Sequence, residues 1–108
     1  MARRNIYIMA KLKFDSKGIK TVENMVVRII QDEIRRQDLI DTGLMLRSVK
    51  AKLNIRGNSF TIDVTSTEYF KYVDGNYNIV NNAFNSRDYQ TLVVPAIQDL
   101  FVKAFESI

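Results

Sequence analysis

The apolar spacing of this chain changes period at one place, and that change limits the folds open to it. Val22, Met25, Val26, Ile29, Ile30 and Ile34 recur at intervals of three and four, the period of a helix that buries one side. From Val49 onward apolar residues fall at every second position, the period of a half-buried strand. Between them lies Asp41-Thr42-Gly43-Leu44-Met45-Leu46-Arg47-Ser48, which has the composition of a joint. Asp41 or Thr42 can accept a hydrogen bond from the free N–H groups of the following turn. Gly43 allows a bend without a Cβ penalty. Leu44, Met45 and Leu46 supply an apolar knot expected to bury itself under both neighbours.

On the helical side, Asp15-Ser16-Lys17-Gly18 offers capping side chains, and the spacing predicts a helix from about Ile19 to Arg36 or Gln37. Glu23, Arg28, Asp32, Glu33, Arg35 and Arg36 lie largely off its apolar stripe. Arg35 and Arg36 fall in the last turn, where positive charge suits the helix dipole; contact with phosphate is the competing reading. On the strand side, Val49, Ala51, Leu53 and Ile55 precede a turn at Arg56-Gly57-Asn58-Ser59, and Phe60, Ile62 and Val64 follow it. This predicts a β-hairpin over Val49 to Thr65 with one buried and one polar face. Lys50 and Lys52 are expected to face Asp63 across it.

Upstream of the helix, Ile6, Ile8, Ala10, Leu12 and Phe14 alternate with Tyr7, Met9, Lys11 and Lys13. That is strand periodicity, with lysines suited to an edge that pairs within the subunit or with a neighbour. Downstream of the hairpin, Thr67 to Gly75 predicts a short helix or turn, capped by Thr67 and ended by a left-handed Gly75. Its Tyr69, Phe70, Tyr72 and Val73 are read mainly as core with hydroxyls at the surface, and in part as an interface. Residues 76–88 lose periodicity and carry Asn76, Asn78, Asn81, Asn82 and Asn85 among Tyr77, Ile79, Val80 and Phe84. A loop is expected there, ordering in part against a neighbour. A last helix is expected from Thr91 or Leu92, with Pro95 in its first turn where its missing N–H is harmless. Val93, Ala96, Ile97, Leu100, Phe101, Ala104 and Phe105 form its apolar face.

These elements predict one α+β domain over residues 1–108: a small antiparallel sheet packed against a long N-terminal helix and a C-terminal helix, with residues 1–15 as an N-terminal strand or arm and 76–88 as a loop. A chain of 108 residues supports one core. No apolar run approaches the roughly 20 residues that span a bilayer, and no apolar segment with a cleavage site follows Met1-Ala2-Arg3-Arg4, so neither membrane span nor signal peptide is expected.

Chemistry is constrained by what is missing. With no His and no Cys, the commonest general base, nucleophile and metal ligands are gone. The carboxylates have no metal-loop spacing, and the four glycines form no phosphate loop. No enzymatic role, cofactor, metal or small-molecule substrate is expected. The net charge of +4 is uneven: 13 basic and 6 acidic residues up to Arg56, then 3 basic and 6 acidic. An acidic partner would meet the first half more favourably, although a solvated surface accounts for the same asymmetry.

The order of elements resembles the head–tail joining proteins of tailed bacteriophages, the neck, tail-completion and tail-terminator proteins. The resemblance runs from about Ile19 to the C-terminus. It rests on the long helix, Thr42-Gly43, Leu46-Arg47-Ser48, the hairpin, the aromatic segment Tyr69 to Gly75, and Pro95-Ala96. The chain departs from the family's pattern in placing leucine and arginine one position later after Thr42-Gly43, and in having Thr91-Leu92-Val93-Val94 before the last helix. The resemblance implies a virion structural protein without catalysis, assembled in the host cytoplasm. It implies a homo-oligomeric ring, six-fold or a multiple of it, contacting neighbouring connector and tail proteins near packaged DNA. Ile6, Ile8, Tyr72, Tyr77, Ile79 and Phe84 are then the candidate oligomer contacts, and Arg3, Arg4, Lys50 and Lys52 candidates for DNA or an acidic neighbour. The alternative reading is a small basic nucleic-acid-binding protein using Lys11, Lys13, Lys50, Lys52 and Arg56, with affinity falling steeply as salt rises.

Overall fold

The computed structural model describes residues 13–37 and 43–106. Most of the expected strand over Ile6 to Phe14, the Asp41-Thr42 cap, and Arg3, Arg4, Ile6 and Ile8 lie outside the described residues. The fold is α+β: among the described residues, helices and one two-stranded antiparallel sheet.

Helix α1 spans Ser16–Arg36, roughly 31 Å at 1.5 Å per residue. It begins three residues before the expected Ile19. Asp15 is extended, and its Oδ1 accepts from the Lys17 N–H at 3.2 Å, so the cap admits Ser16, Lys17 and Gly18 to the first turn. The predicted stripe is the core: Val22, Val26, Ile29, Ile30 and Ile34 are buried, and Met25 is half-buried.

The joint is a single short helix, α2, Gly43–Arg47. Of its expected knot only Met45 is buried, Leu46 is half-buried, and Leu44 is 60% exposed. Successive helical residues point about 100° apart, so one turn cannot aim three neighbours inward. Side chains hold it instead: Gln31 Nε2 donates to the Leu46 carbonyl at 2.8 Å, and Ser66 Oγ to the Met45 carbonyl at 2.7 Å.

Strands β1, Lys50–Arg56, and β2, Ser59–Thr65, pair with Leu53 opposite Ile62. Gly57 has φ +58° and Asn58 does not share the positive sign, the pattern of a type II′ two-residue turn with glycine first.

Helix α3, Glu68–Tyr77, overruns the expected end at Gly75. Asn78, not Gly75, takes the left-handed conformation, at φ 53° and ψ 44°, and its N–H donates to the Asp74 carbonyl at 2.7 Å. Asparagine tolerates this region better than other side chains. Thr67 holds the N-cap position but makes no side-chain bond there.

The expected loop over 76–88 is largely helical, since α4 runs Ile79–Phe84. Asp74 supplies its cap, with Oδ1 accepting from the Val80 N–H at 2.8 Å. Two short helices meeting at Asn78 interrupt any single period, which is why the stretch reads as irregular.

The last helix also differs from expectation. A π-helical turn at Tyr89–Val93 runs directly into α5, Val94–Glu106, so Pro95 sits inside a helical path and not in its first turn. Proline cannot donate, and its ring crowds the carbonyl four residues back. The wider π turn just upstream, where the Val94 N–H reaches the Tyr89 carbonyl, makes room for it.

The whole is organised on α1, against which β1, α4, the π turn and α5 all pack. Gly18 allows the closest approach, since a Cβ there would lie 2.5 Å from Leu100 Cδ2. Phe14 meets Phe101 edge-on at 5.1 Å. The radius of gyration is 16.4 Å and the extents are 57 × 24 × 21 Å, against about 13 Å for a compact chain of this length. The shape is elongated, and large apolar side chains are exposed among the described residues.

Candidate interaction surface

The hairpin is where cover runs out. Val49 and Leu53 are buried, Ala51, Ile55, Ile62 and Val64 are half-buried, and Phe60 is 40% exposed. Leu46 lies by Gln31, and Leu53 by Glu23, so β1 runs back along α1 toward its N-terminus. Its apolar face therefore loses its support toward Gly57. An open concavity of about 600 Å³ at this end is lined by residues including Leu53, Ile55, Arg56, Phe60 and Asp63.

The two edges of the sheet differ. Glu23 Oε2 accepts from the Leu53 N–H at 2.8 Å, so Leu53 points its backbone away from β2 and toward α1. Leu53 and Ile62 are thus a non-hydrogen-bonded pair. By the same alternation Phe60, Ile62 and Val64 direct their N–H and C=O groups to the outer edge of β2. No other element among the described residues covers that edge.

The polar face carries Lys50, Lys52, Asn54 and Arg56 on β1, opposite Thr65, Asp63, Thr61 and Ser59. Lys52 stands opposite Asp63 in register, but Asp63 Oδ2 accepts from Asn54 Nδ2 at 2.8 Å. The expected lysine–aspartate pair is replaced by this shorter-armed contact, which orders less side chain. Lys50, Lys52 and Arg56 are exposed together.

Tyr72 and Tyr69 are 72% and 62% exposed, while Phe70 and Val73 of the same helix are buried. The aromatic segment is thus half core and half surface. Tyr77 is 46% exposed. Phe84 is half-buried and stacks on Tyr89 at 4.8 Å with planes 13° apart; burial pushes the Tyr89 phenol up. Ile79 is fully buried, so its expected place at an oligomer contact is corrected to the core. Leu44, expected in the buried knot, and Phe105, expected on the apolar face of the last helix, are corrected to exposed positions, and Leu92 and Val102 are exposed apolar residues outside the expected faces.

A second groove, about 270 Å³, lies between α1 and the π turn. Met25, Ile29 and Leu92 form its apolar part, with Arg28, Asp32 and Asp88 among its other lining residues. No cluster of metal-ligating side chains occurs among the described residues.

Sequence reading placed Glu33 off the stripe, yet it is 8% exposed. Its carboxylate accepts from Arg36 Nη2 at 2.6 Å, Gln37 Nε2 at 2.7 Å and Asn82 Nδ2 at 3.4 Å, the last joining α1 to α4. The Arg36 hydrogen bond leads in holding its carboxyl below the usual range, against the opposing effect of burial. Arg35 pairs with Asp32 at 3.0 Å, so both terminal arginines are engaged within α1. No described helix is long and apolar enough to cross a membrane.

Comparison with protein-family models, with curated proteins and with solved structures finds no match for this chain.

Proposed function

We propose that this protein is a structural, ring-forming component of a tailed-bacteriophage virion, joining head and tail as a neck, tail-completion or tail-terminator protein. The observation that carries this reading is the outer edge of β2, which no element among the described residues covers, beside a half-covered apolar face on an elongated subunit. A surface of this kind is completed by a neighbour, and a head-to-tail contact repeated through a fixed rotation closes into a ring. The resemblance of the segment order supports the same reading from the sequence.

Tyr72, Tyr77 and the exposed part of Phe84 supply further aromatic contact area, the residue type enriched in interfaces. Lys50, Lys52 and Arg56 form the face offered to DNA or to an acidic neighbour. The reading assigns the chain no catalytic step.

The test is mass in solution, by light scattering, for the full chain alone and with the connector and tail proteins encoded beside it. Rings resolved by negative-stain microscopy support the reading. A strictly monomeric protein under both conditions overturns it.

A further inference from the structure

We propose that the outer edge of β2 receives the segment Ile6–Leu12 of a second copy as an added strand; this deepens the ring reading and rests on it. The receiving edge follows from the hydrogen-bond pattern. Glu23 occupies the Leu53 N–H on the β1 side, whereas Phe60, Ile62 and Val64 turn outward backbone groups that no element among the described residues pairs on the β2 side. Backbone bonds of an added strand supply affinity, and alternate side chains supply specificity.

The occupant follows from pattern and charge. Ile6, Ile8, Ala10 and Leu12 alternate and so place four apolar side chains on one face, beside the incompletely covered Phe60, Ile62 and Val64. Tyr7, Met9 and Lys11 then share the polar face of the sheet. On that face β2 offers Asp63, while β1 offers Lys50, Lys52 and Arg56. Lys11 is attracted to the β2 edge and repelled from the β1 edge.

The donor is another copy because its own chain is tethered too close. Phe14 is held against Phe101 of α5, whose packing is taken up by α1 and the π turn. From Phe14 to Leu12 the backbone spans at most about 7 Å. Among the described residues the sheet packs on α1 through β1, and β2 packs on β1, so the far edge of β2 is separated from α5 by α1, a cylinder about 10 Å across, and by two strands about 4.8 Å apart. One copy giving a strand and the next receiving it is a head-to-tail contact, the kind that closes a ring.

The absence of cysteine makes the test direct. Single-cysteine variants at each position from 6 to 12 are mixed with Ile62→Cys protein, oxidised and run on non-reducing gels. The expected result is a disulfide-linked pair of chains formed only from even-numbered positions. A variant carrying both cysteines, one at the linking position, is expected to give linked chains and not an internally bridged monomer. Absent bonds, bonds equally frequent at odd positions, or an internally bridged monomer would each overturn the inference. A variant lacking residues 2–11 gives the second measurement: its circular dichroism is expected to keep the helical signal while its mass falls to one subunit. Rings that persist without the segment sink this inference and leave the ring reading standing. A full-length chain that is monomeric alone and with its neighbours sinks both.

Discussion

Glu33 and Asn78 illustrate how single side chains tie the helices together. Glu33 lies buried at the end of α1 and joins Arg36, Gln37 and Asn82. Its carboxyl is held below its ordinary value of 4.5, so the folded state binds a proton less readily than the unfolded chain. Its contribution is present above the unfolded value and is lost as pH falls through 4.5 toward the lower folded value. Glu33→Gln should therefore lower stability at neutral pH by about 1 kcal/mol and flatten the loss of stability on acidification, as measured by urea unfolding across that range. The Arg36 partner is 64% exposed, so screening keeps the ion pair's share small. Asn78 holds a left-handed backbone between two helices. Asn78→Ala should cost about 1 kcal/mol and Asn78→Gly should be nearly neutral, read from the midpoint of thermal unfolding.

Helix α4 is the element that most changes the reading of the chain. It occupies a stretch whose asparagines suggest a loop, and it seats Ile79 and Ala83 fully in the core. Ile79→Ala should therefore destabilise the protein by roughly 2–5 kcal/mol, whereas Tyr72→Ala should stay within about 0.5 kcal/mol. Denaturant unfolding of the two variants compares a core position with a surface one. If Tyr72 serves an interface, its variant loses assembly while keeping monomer stability. The hairpin, by contrast, was readable in advance. Alternation from Val49 to Thr65 and a turn containing Gly57-Asn58 specify strand, register and bend with little help from the rest of the molecule.

For the molecule as a whole, α1 is the mast on which every other packed element depends. Its six-residue apolar stripe was legible because burial on one side leaves a 3.6-residue trace in the sequence. The way the rest is hung on it was not. Leu44, counted with the buried knot, faces out, and Glu33, counted with the solvated face, faces in. Each depends on which neighbour arrives from elsewhere in the chain. Nothing among the described residues covers the outer edge of β2, and the mass of the assembled protein is expected to be a multiple of the subunit.

The sequence alone determined the long helix, the hairpin and the last helix, their order, and the absence of histidine and cysteine, because these are set by local spacing and composition. Only the tertiary structure decided that Glu23 closes the β1 edge of the sheet, that residues 79–84 are helical, and that Pro95 is accommodated by a π turn. Those outcomes turn on hydrogen bonds between residues far apart in the chain or on room made by neighbouring turns, and neither leaves a period to read.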